Sequence, residues 1–214
     1  MLHSIIIAPL RLFFRLLYHQ MAWTYDWVAW AVSLGMWKEW VYSVIPEIEG
    51  RSILELGHGP GHLQAKLFST GVSIIGIDKS RQMGRIARNR LHTMGVDYKI
   101  VNGDGQQLPF PSDFFDQVTA TFPTEYIIHP NTLTEIFRVL NPGGALVIVP
   151  VAWITGHNFL QRMVASLFRI TGQAGDWDER YLLPFRRAGF QVEVKRISVK
   201  ASTVLILKAT KSVG

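Results

Sequence analysis

From Leu10 the apolar residues fall at positions 10, 13, 14, 17, 18 and 21, the spacing of one face of a helix, while Arg11, Arg15 and His19 share the opposite face. This predicts an amphipathic helix that either packs on protein or lies in a membrane interface, where large apolar side chains beside arginines are at home. The apolar stretch is interrupted by charge and no small-residue cleavage site follows it, so neither a membrane span nor an export signal is expected. Next come Trp23, Trp27, Trp30, Trp37 and Trp40, within two predicted short helices broken near Gly35 and ended before Pro46. Their indoles suit ordinary packing, an interface or an apolar substrate pocket.

After Gly50 the period changes to strand–helix alternation. Strands are predicted at Ser52–Glu55, Val72–Asp78, Tyr98–Asn102, Phe115–Thr121 and Ala145–Val151, with helices at Leu63–Thr70, Ser80–Met94 and Asn131–Leu140. Such alternation predicts a parallel sheet covered by helices, and the nearly continuous apolar run before Val151 is what a central strand requires. Asn141-Pro142-Gly143-Gly144 has the composition of a turn. A helix over Glu179–Ala188, stopped at Gly189, precedes two β-rich runs, Gln191–Ile197 and Thr203–Ala209, which have no helix between them and should pair antiparallel. The remaining stretch, 152–175, is longer than an ordinary connection and is the kind of insertion that shapes a site. One domain over residues 51–214, carrying a helical extension over 1–50, is the expected organisation.

Composition sharpens this modestly. With 48% hydrophobic and 18% charged residues the 214-residue chain is globular, and the absence of cysteine excludes disulfides, thiolate metal ligands and cysteine nucleophiles. A reducing compartment, the cytoplasm, is the default. Residues 1–137 hold 11 Lys+Arg against 12 Asp+Glu, whereas 138–214 hold 11 against 4, so the net charge of +6 belongs to the C-terminal third. A basic surface of this kind attracts nucleic acid, anionic lipid or a phosphorylated molecule without distinguishing them.

The chemistry concentrates in the turn Glu55-Leu56-Gly57-His58-Gly59-Pro60-Gly61, between an apolar strand and a helix. Glycines there let the backbone approach a ligand, and a helix N-terminus offers free N–H donors. The dinucleotide fingerprint fails, because His62 stands at its last glycine position. In Ile77-Asp78-Lys79 a carboxylate ends the next strand 21 positions after Gly57, the separation at which an acid accepts from ribose hydroxyls; it could equally cap the following helix. Further along are Gly103-Asp104-Gly105-Gln106-Gln107-Leu108-Pro109-Phe110, then Phe115-Asp116-Gln117-Val118 with Thr121-Phe122-Pro123, then Arg138-Val139-Leu140-Asn141-Pro142-Gly143-Gly144.

In this order the five elements resemble the class I S-adenosylmethionine-dependent methyltransferases, closest to the small quinone-biosynthesis and phospholipid N-methyltransferase-like group. The resemblance implies a Rossmann-like three-layer α/β sandwich, with a seven-stranded, mostly parallel sheet and an antiparallel C-terminal hairpin. It also implies S-adenosylmethionine as cofactor, with Glu55 at its amino-acid end, Gly57, His58, Gly59 and Gly61 against its backbone-facing side, and Asp78 with Lys79 at the ribose. Asp104 and Gly105 would lie at the adenine, and Thr121 beside the transferred methyl. Tyr25-Asp26 resembles a pair that closes over the cofactor in related enzymes; Tyr25, Tyr126 and His129 are the candidates near the methyl. His129, before Pro130, also suits a structural role, and His157 lies in the insertion. No metal is expected, since a sulfonium methyl is already electrophilic and the protein needs mainly to align the reactants and exclude water.

The expected acceptor is an apolar or amphipathic small molecule, lipid- or quinone-like, with peripheral membrane contact through residues 1–22. Alternatives are methylation of nucleic acid or protein, disfavoured because Thr121-Phe122-Pro123-Thr124 lacks the Asn/Asp-Pro-Pro-aromatic pattern, and a binding protein that retains the fold without turnover.

Overall fold

The computed structural model describes residues 29–30, 33–68, 70–72, 74–95, 99–155 and 179–212. The amphipathic pattern over residues 10–21, Trp23, Tyr25, Trp27, His157 and the apolar run 159–170 lie outside the described residues.

Strands β1 (Ile53–Leu56), β2 (Ile74–Asp78), β3 (Lys99–Asn102), β4 (Phe115–Thr121) and β5 (Leu140–Val149) pair in parallel in the order β3-β2-β1-β4-β5. The hairpin of β7 (Phe190–Val199) and β8 (Ser202–Lys211) completes the sheet, β8 running antiparallel to both β7 and β5. Because β7 occupies one edge of β8 along its whole length, the short β6 (Ala152–Ile154), which also pairs with β8, continues the line of β5. The sheet is therefore seven strands wide with eight strands, as the resemblance implied, and the start of the expected insertion belongs to it.

Side chains alternate across the strands into two cores. On one face α1 (Trp37–Tyr42) and α2 (His62–Phe68) cover Ile53, Val147, Val149 and Ile206; on the other α4 (Pro130–Val139) and α5 (Leu183–Arg187) cover Leu54, Val118, Leu146 and Leu207. α3 (Arg81–Thr93) follows β2 and packs on α2, where a Cβ on Gly61 would come within 3.0 Å of that of Ala87. Ser80 starts α3 as its N-cap, its side chain accepting from the Met83 N–H, so Asp78 is released from that task.

Two expected elements differ. Asn141-Pro142-Gly143-Gly144 is the first part of β5, not a turn before it: Leu140 pairs with Phe115, and pairing resumes at Gln117 and Ala145 around a bulge. Asn141 Nδ2 donates to Asp116, and a Cβ on Gly144 would lie 2.8 Å from the Asp116 carbonyl, so the insert stays pressed against β4. The helix expected over Glu179–Ala188 divides into a 3₁₀ turn, Glu179–Tyr181, and α5, because Pro184 has no N–H to continue the ladder and sits in the first turn of a new helix.

The segment before β1 is held by side chains of β4. Asp116 accepts from the Arg51 and Ser52 N–H groups, and Gln117 accepts from Glu49 N–H while donating to Glu47 carbonyl. The basic hairpin turns its charge inward on the same segment. Lys195, Lys200 and Lys208 pair with Glu47, Glu39 and Glu49, and Lys211 pairs with Asp113, so every lysine of the C-terminal third meets a carboxylate from the first 137 residues.

α1 is fastened to the hairpin by Trp40 Nε1, which donates to Ser202 Oγ at 2.7 Å in a buried contact. Trp40→Phe keeps most of the apolar area and deletes that donor, and should lower stability by about 1–3 kcal/mol in urea denaturation. A loss under half that size would mean that the indole acts by area alone.

Candidate functional site

The turn after β1 is spliced onto the end of β2. Gly57 N–H donates to Ile77 carbonyl at 2.7 Å, Gly59 N–H to Asp78 Oδ2 at 2.9 Å, and Arg90 reaches the Pro60 carbonyl from α3. Gly57 and Gly61 have φ of +76° and +79°, a region closed to most side chains, so the turn requires glycine there. Asp78 is buried, and its other oxygen accepts from Ser80 N–H at 2.8 Å. A carboxylate accepts about four hydrogen bonds, so one residue can serve several donors at this junction.

Glu55 sits in the middle of a fully buried strand, with Oε2 lacking any partner. Burial pushes its pKa up to about 8; the Gln64 side chain opposes this in part and the Asp78 charge adds to it. Its neighbours across the sheet are Gly76 and Thr119. A Cβ on Gly76 would collide with Gln64 Nε2 at 1.8 Å, so that glycine opens the space in which the Gln64 amide lies. Gln64 Nε2, Thr119 Oγ1 and His58 Nε2 are likewise buried without a partner. His58 Nδ1 lies 2.7 Å from Gly59 carbonyl; a carbonyl only accepts, so Nδ1 carries the proton and Nε2 presents its lone pair. Burial chiefly lowers the His58 pKa, against the Asp78 charge, and keeps the ring neutral.

Asp104 and Lys79 form an ion pair of 2.7 Å beyond β2 and β3, which lowers the Asp104 pKa. Asp104 also accepts from Gln106 N–H, and Gly105 packs so closely that a Cβ would meet Leu56 at 3.2 Å. The following turn is clamped from α4: Glu135 accepts from Leu108 N–H, Arg138 donates to the Leu108 and Phe110 carbonyls, and the two side chains pair at 2.7 Å. Arg138 thus belongs to the loop of Asp104, thirty residues earlier in the chain.

At the end of β4, Thr121 is half-buried and Phe122 has φ of +49°, a strained value for an aromatic residue. The Phe122 ring stands 4.6 Å from Trp37 and 6.2 Å from Trp40. Tyr126 folds back over the glycine turn: its hydroxyl donates to Leu56 carbonyl and lies 2.5 Å from where a Cβ of Gly57 would be. Burial first, then the Asp78 and Glu55 charges, push its pKa far above the usual value, so the phenol stays protonated. His129 is the N-cap of α4, its Nδ1 accepting from Asn131 N–H at 3.2 Å.

The structure therefore brings Glu55, Gly57, His58, Gly59, Asp78 and Tyr126 to one strand–helix junction, with Lys79, Asp104 and Gly105 beside it and Thr121 at the end of β4. Tyr25 lies outside the described residues. Gln64, Gly76, Thr119 and Glu135 escaped the sequence, as did the particular contacts of Phe122 and Arg138, which were read only as parts of motifs; an acid three residues before Arg138 was the one available signal for the clamp. The arrangement fits a ligand with donors to offer, since it presents buried acceptors at Glu55 and His58 that nothing else satisfies.

Comparison with known proteins agrees. The model of a methyltransferase domain family matches residues 53–144. The demethylmenaquinone methyltransferase of Clavibacter sepedonicus is 29% identical over 215 residues, covering 89% of this chain and 86% of that one. The ubiquinone/menaquinone biosynthesis C-methyltransferase of Pectobacterium carotovorum is 30% identical over 141 residues, with 62% of this chain matched to little more than half, 56%, of the relative. Among solved structures, phosphoethanolamine N-methyltransferase 2 of Haemonchus contortus, in complex with S-adenosylhomocysteine, shares the fold at a TM-score of 0.61 and 17% identity, covering 83% of this chain and 53% of that one.

The buried carboxyl makes stability depend on pH. Glu55 has a folded-state pKa of about 8 against an ordinary 4.5, so folding favours its protonated form; that stabilisation is complete below 4.5 and is lost as pH rises through 8. Without ligand, Glu55→Gln should be more stable than the parent by about 2–4 kcal/mol near pH 8.5, and the two should converge near pH 5. Thermal melts at the two pH values check this; a pH-independent difference would show that ionisation is not the cause.

Proposed function

We propose that the chain is a class I S-adenosylmethionine-dependent methyltransferase, close to the quinone-biosynthesis group, that methylates an apolar or amphipathic, quinone- or lipid-like small molecule by direct in-line transfer. The observation that carries this reading is the aromatic wall at the end of β4, where strained Phe122 packs against Trp37 and Trp40. Such a wall binds a flat apolar ring by area and ring contacts, and does little for an anionic acceptor. The demethylmenaquinone and ubiquinone/menaquinone relatives support the same acceptor class.

The cofactor supplies a sulfonium-bound methyl group. In this reading Glu55 and His58 accept from its amino-acid end, the Gly57–Gly61 turn admits its backbone-facing side, and Asp78, at the end of β2 beside that turn, accepts from ribose hydroxyls. Asp104 accepts at the adenine with Lys79 as its counter-ion, and Gly105 keeps that loop close to Leu56. Tyr126 keeps its proton, donates a hydrogen bond with it to the Leu56 carbonyl and so closes over the glycine turn, whereas His129, committed to α4, holds the loop that carries Tyr126. These residues align and desolvate the reactants, and the proton that a quinol ring carbon gives up on gaining the methyl passes to water, since Tyr126 already holds its own.

No helix among the described residues is long and apolar enough to cross a membrane. A bilayer-soluble acceptor gives the amphipathic pattern of residues 1–22 a purpose, contact of a cytoplasmic enzyme with the inner membrane surface. Sedimentation with acidic vesicles tests this contact: deleting residues 1–22 should abolish co-sedimentation, and equal sedimentation of both forms rules it out.

The acceptor is tested by labelled-methyl transfer to a short-chain demethylmenaquinol, a phospholipid and a nucleic acid fraction. Label is expected in the quinol alone, and Asp78→Ala should weaken S-adenosylhomocysteine binding by at least about tenfold in calorimetry. Label in nucleic acid but not in quinol would overturn the acceptor; undiminished binding by the variant would overturn the role of Asp78.

A further inference from the structure

The C-terminal lysines are all paired, but a different cationic group is not. α3 carries Arg81, Arg85, Arg88 and Arg90 over Arg81–Thr93, a helix without a single acidic residue. Arg90 is spent on the Pro60 carbonyl. Arg81, Arg85 and Arg88 recur at the spacing of one helical face, and among the described residues none has a hydrogen bond or ion pair. Like charges at this spacing repel each other, so the arrangement costs stability, and no carboxylate among the described residues pairs with these three to offset it.

These three arginines line one cavity. It has a volume of about 460 Å³, lies between α3 and the edge strand β3, and is lined as well by Ile100, Val101 and Asn102 and by the carboxylate residue Asp78. Gly84 also lines it. A glycine inside a helix is unfavourable relative to alanine, and packing does not demand one here. Among the described residues, and apart from the backbone of α3 itself, a Cβ would come within 4 Å only of the two terminal nitrogens of Arg88, at 3.6 and 4.0 Å. The absent side chain instead deepens the cavity and lets the Arg88 guanidinium lie across the helix. The field of Arg88 reaches the glycine turn, where it helps to lower the His58 pKa.

We propose that this cavity binds a phosphate group, held by Arg81, Arg85 and Arg88. Guanidinium forks match phosphate oxygens two at a time, and three of them on successive turns converge on a compact dianion better than on a single carboxylate. The phosphate could come from a free phosphate ester or from the headgroup of an anionic lipid; both offer the same oxygens. The site adjoins Asp78 without depending on the cofactor reading, and it stands apart from the aromatic wall at β4.

The test is calorimetric titration of the full chain with inorganic phosphate, against sodium chloride at matched ionic strength, with a second arm of phosphatidylglycerol and phosphatidylcholine vesicles. A saturable phosphate site is expected, weakened by about tenfold in each of Arg85→Gln and Arg88→Gln, with S-adenosylhomocysteine affinity unchanged in Arg85→Gln. Gly84→Ala should raise the melting temperature while weakening phosphate binding, a pair of effects that damage to the fold cannot produce. Phosphatidylglycerol binding that falls in the arginine variants, with no response to free phosphate, supports the site and assigns the lipid source. The proposal is overturned if phosphate does no more than chloride and vesicle binding is the same with and without the arginines. Loss of S-adenosylhomocysteine binding in the parent would strike the cofactor reading and leave this one standing.

Discussion

The carboxylate of Asp78 is the joint on which the functional end of the sheet depends. Its two oxygens accept backbone N–H groups from different elements, Gly59 in the turn after β1 and Ser80 at the start of α3. Its own carbonyl receives Gly103 N–H and the Asn102 amide from the end of β3. Three strand ends are thereby fixed against one residue, and every group from Glu55 to Asp104 takes its position from that joint. A buried charge is tolerable only when its acceptor sites are used, and these amide donors are among the groups that use them. The proposed function gives the same structural carboxylate a binding role as well.

What the sequence disclosed, and what it did not, follows from the range of the interactions. The glycine turn, Asp78 and Asp104 are local: strand, turn and helix lie within a few residues of each other, and backbone geometry restricts the residue types. The strand–helix alternation was legible for the same reason. Gln64, Gly76 and Thr119 matter only because β1 lies between β2 and β4, which no local pattern states. Phe122 carries no mark of its positive φ, and Arg138 gives no sign that it clamps a loop thirty residues upstream. Pro and Gly in Asn141-Pro142-Gly143-Gly144 signal an irregular backbone but do not distinguish a turn from a bulge, and only the contacts with Asp116 decide it.

Charge shows the same limit. Counted by thirds, the basic character sits at the C-terminus, yet there Lys195, Lys200, Lys208 and Lys211 turn toward carboxylates of the acidic first part and help hold it to the hairpin. Exposed pairs contribute little individually, but together they show that these lysines are not free positive charge. The first part, nearly neutral in sum, holds the unpaired arginines of α3. An average over sequence hides this because pairing is a property of the folded surface.

The unsatisfied groups are not scattered. Among the described residues, five buried side-chain atoms lack a hydrogen-bond partner: Glu55 Oε2, His58 Nε2, Gln64 Nε2, Thr119 Oγ1 and Thr132 Oγ1. Four belong to Glu55, to its neighbour in the sheet, or to the turn and helix that follow it, and Thr132 packs against Gly105 in the Asp104 loop. Each such atom costs on the order of 1–3 kcal/mol, so chance would not gather them in a fold otherwise well paired. The strained Phe122 lies at the same end of the sheet. Local rules are broken together where a ligand would supply what the protein lacks, and Glu55, protonated when alone, is stabilised as a carboxylate by a cationic partner. The instability of the empty junction and its capacity to bind therefore have one physical origin.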